Sequence, residues 1–194
     1  MIKTDPLYWF WKSELPPLLC SAIIAEGTSR VERITPAVVG YGPDARVDET
    51  IRKSKTCFFD STSWVAGITS HYMRMANEAA WRYDIIGPQN PQFTIYDKDE
   101  FYDYHEDQST LPSYTPRDDD VTGVYQRKLS LVINLSDVGD YYGGEFQFED
   151  GFEPDIQRQG SIMVFPSFLR HRVQPVVTGR RYSLVNWFIG KGFR

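Results

Sequence analysis

Residues 92–107 read QFTIYDKDEFYDYHED, two runs rich in aromatic and β-branched residues on either side of a polar turn. Short runs of this composition, bounded by turn-forming residues, are typical of β-strands. Five more runs of the same kind follow: KLSLVINLS, GEFQFED, SIMVFP, HRVQPVV and RYSLVNWFI. Turn formers separate several of them, as in DYYGG, EDGFEP, RQGS and VTGR. The chain after residue 88 is therefore predicted to consist of short strands.

The first half of the chain contains two predicted helices. PPLLCSAIIAEG at residues 16–27 begins with prolines, which suit a first helical turn, and ends at Gly27, which predicts a C-terminal stop. DSTS offers N-cap oxygens to a longer helix predicted over residues 64–85. The apolar residues of that helix recur at intervals of three and four: Trp64, Ile68, Met75 and Ala79.

Helices followed by seven or more strands predict a mainly β fold with flanking helices. An antiparallel sandwich or barrel is favoured, because a parallel sheet needs alternating strands and helices. A length of 194 residues suits a single domain, 1–194, with a helical N-terminal part over about 1–88 and a β core over about 89–194. The polar, proline-containing stretch STLPSYTPRDDDVTG lies between the strands and predicts a long loop.

Composition and charge disfavour several functions. The formal net charge of -5 gives no general attraction to phosphate backbones, so nucleic acid is a disfavoured partner. Cys20 and Cys57 are too few and too far apart for a disulfide framework or a cysteine zinc site, and reduced thiols are expected. LYWFW at residues 7–11 is too short for a signal peptide or a membrane span. A cytoplasmic protein without membrane contact is therefore expected.

Two of the three histidines form a candidate metal site with one aspartate. On an extended strand, His105 and Asp107 share a face while Glu106 points away. His171 lies in another predicted strand, and two imidazoles with one carboxylate are the facial triad of non-haem Fe(II) oxygenases. Zinc more often takes a closed tetrahedral set or sulfur ligands, so iron is favoured. His71 lies near the apolar stripe of the longer helix and is predicted to be structural.

Arg181 predicts an anion site. In RRYSLVNWF the side chains of Arg181, Ser183, Val185 and Trp187 alternate with Tyr182, Leu184 and Phe188, so the first four share a face. A guanidinium on a buried face needs an anion, and its planar fork suits a carboxylate. An ion pair with one of the many acidic residues, or exposure to solvent, is the alternative.

These residues resemble the iron(II)/2-oxoglutarate dioxygenases, specifically the prolyl 4-hydroxylase-like group of bacteria and phages. The matching features lie in order across residues 92–188: QFTIYDKDEFYDYHED, RKLSLVINLSDVGDYYGGEFQFED and FPSFLRHRVQPVVTGRRYSLVNWF. The resemblance implies a double-stranded β-helix, a cupin-like jelly roll, over the β core. It also implies that His105, Asp107 and His171 bind the metal.

The resemblance further implies that Arg181 binds the distal carboxylate of 2-oxoglutarate, with Tyr96 and Ser183 as secondary contacts. The implied reaction consumes 2-oxoglutarate and O2 on Fe(II), hydroxylates an unactivated C–H bond, and releases succinate and CO2. Because Asp107 is a carboxylate, hydroxylation is expected rather than the halogenation of relatives that have a small residue there. Ascorbate is a cofactor that the family allows. Gly143 and Gly144 are predicted to form a turn without a chemical role.

The expected substrate is a peptidyl residue such as proline, and the loop over residues 108–123, with Tyr114 and Arg117, is predicted to act as a lid. A free amino acid or another small molecule fits the same site. A nucleic acid demethylase is less favoured because of the acidic charge. A binding module that keeps the fold without turnover is an alternative from another class. The sequence leaves the oligomeric state open.

Overall fold

The computed structural model of the protein describes residues 6–30, 34–40, 45–108, 110–111 and 125–191. Within these ranges lie two helices, α1 (Pro17–Ser29) and α2 (Trp64–Ala79), and fifteen strands. The strands are β1 (Trp9–Trp11), β2 (Thr35–Pro36), β3 (Arg52–Lys53), β4 (Lys55–Phe58), β5 (Gly87–Pro88), β6 (Gln92–Tyr96), β7 (Phe101–His105), β8 (Thr110–Leu111), β9 (Tyr125–Asn134), β10 (Tyr141–Gly143), β11 (Phe146–Phe148), β12 (Ile162–Pro166), β13 (His171–Val173), β14 (Val176–Gly179) and β15 (Arg181–Lys191). The predicted mainly β fold with flanking helices is confirmed.

The strands form two principal antiparallel sheets. The larger sheet has the order β1-β12-β9-β15-β6-β4-β2, with β5 added to β15 and β8 to β9, and the smaller has the order β11-β13-β7-β3. Strands β10 and β14 pair separately. From β6 to β13, leaving out the short strands β8 and β10, successive strands alternate between the larger and the smaller sheet. The chain is therefore wound through both sheets, which brings residues distant in sequence onto facing surfaces.

Both faces of the larger sheet are covered, which explains why every residue of β9 is buried. Leu129, Leu131 and Ile133 point to one face, where they join a core with both helices. Val132 points to the other face and packs with Phe146 of the smaller sheet. Alternate side chains of a strand point to opposite faces, so both sets of side chains are buried when both faces are covered.

Helix α1 continues past the predicted stop at Gly27, so that prediction was wrong. Gly27 lies inside the helix and is buried against Phe93 of β6. A Cβ atom at this position would lie 2.7 Å from the Phe93 ring. The glycine is therefore required by close packing of helix on sheet rather than by a turn conformation. Sequence alone does not separate these two uses of glycine.

Helix α2 ends at Ala79, short of the predicted residue 85. The chain reverses there because the Asn77 side chain accepts a hydrogen bond from the Tyr83 N–H at 2.8 Å and donates one to the Tyr83 carbonyl at 2.9 Å. The predicted apolar stripe was also wrong, since Trp64 and Met75 are exposed. The buried face consists instead of Val65, Ala66, Thr69, Met73 and Ala76.

The sequence predicted a helical N-terminal part. The structure shows that this part also contains strands. Strand β1 extends one edge of the larger sheet, β2 and β4 extend the other, and β3 joins the smaller sheet. The predicted strand HRVQPVV is divided into β13 and β14. Pro175, which lies at the division, has no N–H to continue a ladder. No helix in the described part of the chain is long and apolar enough to cross a membrane.

Candidate active site

Two neighbouring strands of the smaller sheet place the two histidines side by side. Strand β7 ends at His105 and β13 begins at His171, and the antiparallel register pairs these two residues directly. Their ring centroids lie 4.3 Å apart. One cross-strand pair thus brings together two residues that lie 66 positions apart in the sequence. Periodicity in the sequence does not reveal such a contact.

Asp107 completes a three-residue cluster. It lies two positions beyond the end of β7 rather than within the strand, yet its buried carboxylate faces the imidazoles while Glu106 is exposed. The Asp107 carboxylate lies 3.8 Å from His105 Nε2 and 3.7 Å from His171 Nε2. One ligand atom from each residue falls within 4.8 Å of the others, so the three side chains could hold a metal ion.

Hydrogen bonds fix the tautomer of each imidazole. His105 Nδ1 lies 2.7 Å from the Asp103 carbonyl, and His171 Nδ1 lies 2.9 Å from the Leu169 carbonyl. A carbonyl only accepts, so each Nδ1 carries the proton and each Nε2 presents its lone pair to the cluster. Such contacts orient the rings of metal-binding histidines.

Aromatic rings hold both imidazoles in place. The Tyr102 ring stacks on His105 at 3.5 Å between centroids, and the Phe146 ring stacks on His171 at 5.0 Å. Phe165 meets the His171 ring edge-on at 4.9 Å. The rings thus have little freedom to turn away from Asp107, so the donor set is pre-organised.

A hydroxyl relay from the larger sheet orients the Asp107 carboxylate. Ser130 Oγ, on β9, lies 2.7 Å from Asp107 Oδ2, and Ser167 Oγ lies 2.9 Å from Ser130 Oγ. Both serines are fully buried. Since an ionised carboxylate only accepts, Ser130 donates to it and Ser167 donates to Ser130. The relay joins the two sheets at the cluster.

The protonation states in this cluster suit metal binding. Burial lowers the pKa of His105 from its ordinary 6.5 to about 3, and the neighbouring His171 adds to the effect. Burial opposes the charged form of Asp107, but the two histidines, Arg127 and the Ser130 hydroxyl outweigh it and lower the pKa of Asp107. A neutral imidazole and an ionised carboxylate are the forms that bind a cation.

Arg181 lies in the same cavity as the cluster. It begins β15, where it pairs with Tyr96 of β6, and its side chain is 3% exposed. Among the described residues, its Nε and Nη1 atoms have no hydrogen-bond partner. The guanidinium lies 5.6 Å from the centre of the Tyr96 ring. This is a buried cation with two donors available for an anion.

The cavity together with its opening to solvent has a volume of about 400 Å³. Its lining joins the metal-ligand cluster to the four residues predicted to share one face of β15, namely Arg181, Ser183, Val185 and Trp187. Tyr182, Leu184 and Phe188 face the helical core instead. The alternation predicted for this strand is therefore confirmed, and it places Ser183 and Tyr96 beside Arg181.

Gly144 gives Arg181 room. A Cβ atom at Gly144 would lie 3.0 Å from Arg181 Cδ, and the residue has φ +68, which a side chain rarely adopts. Its N–H donates to the Pro175 carbonyl at 3.1 Å. The Gly143–Gly144 pair ends β10 as the predicted turn, and its second residue also shapes the wall behind the guanidinium.

Sequence reasoning missed Arg52 in the cavity wall and Arg127 in an adjoining cleft, and it gave Trp187 no polar role. Arg52 is buried with its Nε donating to Ser54 Oγ at 3.0 Å and its guanidinium 4.4 Å from the Tyr102 ring. The Arg127 guanidinium lies 3.7 Å from the centre of the Trp187 ring. The signal for Arg127 in the sequence was a basic residue within an apolar run, YQRKLSLVI, whereas Arg52 lies in the polar stretch ETIRKSKT and had no such signal.

His71 lies apart from the cluster. It is on the exposed side of α2 and contacts the Tyr72 ring at 5.2 Å. The metal-binding group found in the described residues does not include it. In the predicted lid, Gln108 and strand β8 are described, whereas Tyr114 and Arg117 lie outside the described residues.

Residues 91–189, half of the chain, match the model of the 2OG-Fe(II) oxygenase superfamily. The protein belongs to that superfamily, within its prolyl 4-hydroxylase-like group. The binding-module alternative is not favoured by this membership. The family implies Fe(II), 2-oxoglutarate and O2 as reactants, and the paired histidines, Asp107 and the available guanidinium fit the first two.

Two curated relatives match about half of this chain. A PKHD-type hydroxylase of Idiomarina loihiensis is 33% identical over 94 residues, which cover 47% of this chain and 38% of that protein. A PKHD-type hydroxylase of Alteromonas mediterranea is 30% identical over 99 residues, which cover 50% of this chain and 42% of that protein. The chain thus matches well under half the length of these relatives.

Solved structures match nearly the whole chain. A Pseudomonas putida prolyl-4-hydroxylase has a TM-score of 0.69 at 25% identity, covering 96% of this chain and 94% of that chain. A Trichoplax adhaerens prolyl hydroxylase, solved with a hypoxia inducible factor peptide fragment, has a TM-score of 0.70 at 15% identity, covering 94% and 83%. The predicted double-stranded β-helix is thereby confirmed.

Proposed function

We propose that the protein hydroxylates a peptidyl residue, with proline the leading candidate, and releases succinate and CO2. The observation that carries the proposal is the buried Arg181 guanidinium, whose Nε and Nη1 have no partner among the described residues and which lines one cavity with His105, Asp107 and His171. A dicarboxylate suits this cavity, because one end can bind the guanidinium while the other binds a metal ion held by the three ligands.

In this proposal His105, Asp107 and His171 are the iron ligands. The bound iron and 2-oxoglutarate supply the oxidising chemistry, in which O2 is consumed and an oxygen atom enters a C–H bond. With three protein ligands, the ion would keep other positions open for substrates. The Nδ1 contacts aim both imidazoles, and Ser130 holds one oxygen of the Asp107 carboxylate.

Arg181 binds the distal carboxylate of 2-oxoglutarate through the two free donors of its fork. Ser183 and Tyr96 lie in the same wall and complete the carboxylate site. Ascorbate is proposed as a reductant that restores Fe(II) after unproductive turnover. Apolar side chains, among them Val132 and Val173, exclude water from the space between the anion site and the metal site.

The substrate is proposed to approach over Trp187. This residue lines both the active-site cavity and an open cleft of about 750 Å³ with Gln89, Asn90 and Arg127. Its buried indole N–H has no partner among the residues that the structure describes. The cleft is polar and open, so it suits an extended peptide with backbone carbonyls to accept that hydrogen bond. The loop over residues 108–123 remains the proposed lid.

A free amino acid is the second candidate, and Arg52 favours it. Arg52 is a second buried cation in the cavity wall, and the carboxylate of a free amino acid is an anion that it could bind. A peptide offers only a neutral carbonyl at that position. An Arg52→Gln variant separates the two, because it impairs turnover of free amino acids far more than turnover of peptides.

The test is succinate formation from 2-oxoglutarate with Fe(II) under air, with mass spectrometry of the substrate. The panel contains proline peptides, the same peptides with alanine for proline, and free amino acids. His171→Ala is expected to abolish turnover and His71→Ala, its matched control on an exposed helix face, to retain it. Far-UV circular dichroism verifies that both variants fold.

Succinate that rises with a proline peptide, together with a mass gain of one oxygen, supports the proposal. Turnover of free amino acids with no turnover of any peptide contradicts the peptidyl substrate. Retained turnover in His171→Ala contradicts the ligand assignment.

A further inference from the structure

A second cleft, of about 700 Å³, opens beside the metal-ligand cluster. We call it the aromatic cleft, because four of its lining residues are Tyr8, Phe148, Phe152 and Phe168. Leu7, Glu149, Asp150, Leu169 and Arg170 complete the lining. None of these residues lines the active-site cavity.

The aromatic cleft adjoins the active site through β11 and β13. Phe148 is the direct cross-strand partner of His171, and the Leu169 carbonyl accepts the hydrogen bond from His171 Nδ1. The Phe148 ring contacts Phe146, whose ring stacks on His171, at 5.2 Å. A segment bound in the cleft therefore continues the surface that leads to the metal.

The cleft presents apolar ring faces to solvent. Tyr8 stacks between Phe152 at 5.3 Å and Phe148 at 6.0 Å, with interplanar angles of 21° and 25°. Phe152 and Phe168 are 42% and 43% exposed. Contiguous exposed apolar surface often marks an interaction site. Grooves lined by aromatic rings bind the prolines of an extended polyproline II helix.

The rim of the cleft is acidic. Residues 145–155 contain five acidic and no basic residues, and one of the five, Asp155, pairs with Lys12. Glu149 and Asp150 line the cleft itself, where the single basic residue, Arg170, pairs with Glu149 at 3.1 Å. Asp150 accepts a hydrogen bond from the Phe152 N–H at 2.9 Å. The surrounding potential therefore favours a cationic ligand.

We propose that the aromatic cleft binds a proline-rich segment with lysine or arginine residues, which flanks the hydroxylated residue of a polypeptide substrate. This inference rests on the proposed peptidyl hydroxylase function and names its substrate class. The ring faces contact the prolines, and the acidic rim contacts the basic side chains. A free amino acid is too small to reach from the aromatic cleft to the active-site cavity. Binding in the cleft therefore favours a polypeptide as the substrate.

The test measures binding without turnover. A fluorescein-labelled peptide of repeated Lys-Pro-Pro is titrated with the metal-free protein and followed by fluorescence anisotropy, beside a Glu-Pro-Pro peptide of equal length. Phe152→Ala and Phe168→Ala are each expected to weaken binding of the basic peptide about tenfold. Tyr142→Ala is the matched control: Tyr142 is 69% exposed on β10, outside the aromatic cleft, and its loss should leave binding unchanged.

Circular dichroism and thermal unfolding verify that all three variants fold. Equal affinity for the basic and acidic peptides overturns the charge assignment. Equal binding by Phe152→Ala and Tyr142→Ala overturns the cleft itself. A concentration-dependent dimer in sedimentation velocity that Phe152→Ala abolishes identifies a second copy of this chain as the occupant, and also overturns the proposal.

Failure of the aromatic-cleft proposal is distinguishable from failure of the proposed function. Peptide binding that depends on Phe152, without hydroxylation of any peptide, contradicts the proposed function and supports the cleft. Hydroxylation of short proline peptides at equal rates by wild-type protein and Phe152→Ala, with no cleft-dependent binding of long ones, supports the function and contradicts the cleft.

Discussion

Replacing Arg181 with methionine is expected to move two measurements in opposite directions. The wild-type side chain is 3% exposed, and two of its donors have no partner within the described structure. Methionine has a similar length and no polar group, so it fills the space without a buried charge. The protein without 2-oxoglutarate should become more stable, while its affinity for 2-oxoglutarate should fall.

The two magnitudes follow from the unpaired donors. Each buried donor without a partner costs about 1–3 kcal/mol, so removing both raises the free energy of unfolding by at least about 2 kcal/mol. For a chain of this length that corresponds to a rise of about 4–8 °C in the unfolding midpoint. Two hydrogen bonds to a carboxylate contribute about 1.5–3 kcal/mol each, and their loss weakens 2-oxoglutarate binding by about 10²–10⁴.

The assay is thermal unfolding in the presence of Mn(II), with and without 2-oxoglutarate, because a redox-inert metal prevents turnover. At a ligand concentration one hundred times its Kd, wild-type protein should gain about 2.7 kcal/mol. Arg180→Met is the matched control. Arg180 is a half-exposed neighbour whose ion pair with Asp97 contributes less than about 1 kcal/mol, so this variant should keep the full response to 2-oxoglutarate.

An Arg181→Met protein that unfolds at a lower temperature than wild type and still responds to 2-oxoglutarate would refute the reasoning. It would show that Arg181 is a paired structural cation. A loss of response in both arginine variants would instead place the anion site elsewhere on this edge of the sheet.

Three further changes test the site and its support. The folded pKa of His105, about 3, lies below its ordinary 6.5, so between these values the unfolded chain binds a proton that the folded chain rejects. The unfolding free energy of the metal-free protein should therefore fall as the pH is lowered through that window, and less steeply in His105→Gln; equal slopes in urea titrations contradict this. Ser130→Ala frees the Asp107 carboxylate and should weaken Mn(II) binding about 10–100-fold in a competition titration, whereas unchanged affinity removes Ser130 from the site. Gly27→Ala places a methyl group against the Phe93 ring and should cost about 1–3 kcal/mol in chemical denaturation; an unchanged midpoint shows that α1 can move away from the sheet.

The β half of the fold could be predicted because local composition and periodicity carry it. All seven predicted strand regions contain strands, and the alternation along β15 separates the cavity face from the core face as the sequence indicates. The helix details were less predictable. Thr69 lies in the buried stripe of α2 because its hydroxyl accepts a hydrogen bond from the Asn186 side-chain amide at 2.7 Å. The spacing of apolar residues cannot predict a buried polar residue whose partner is distant in sequence.

The amino-acid sequence by itself determined the strand-rich core, the residues of the candidate metal and anion sites, and the face of β15 on which Arg181 lies. These depend on local spacing and on the cost of burying a charge. The tertiary structure alone decided that His105 and His171 are cross-strand partners, that Ser130 bonds Asp107 from the opposite sheet, and that the aromatic cleft adjoins the cluster. Each of these joins residues far apart in sequence, because a contact between two sheets is fixed by how the strands wind and not by any pattern within one strand.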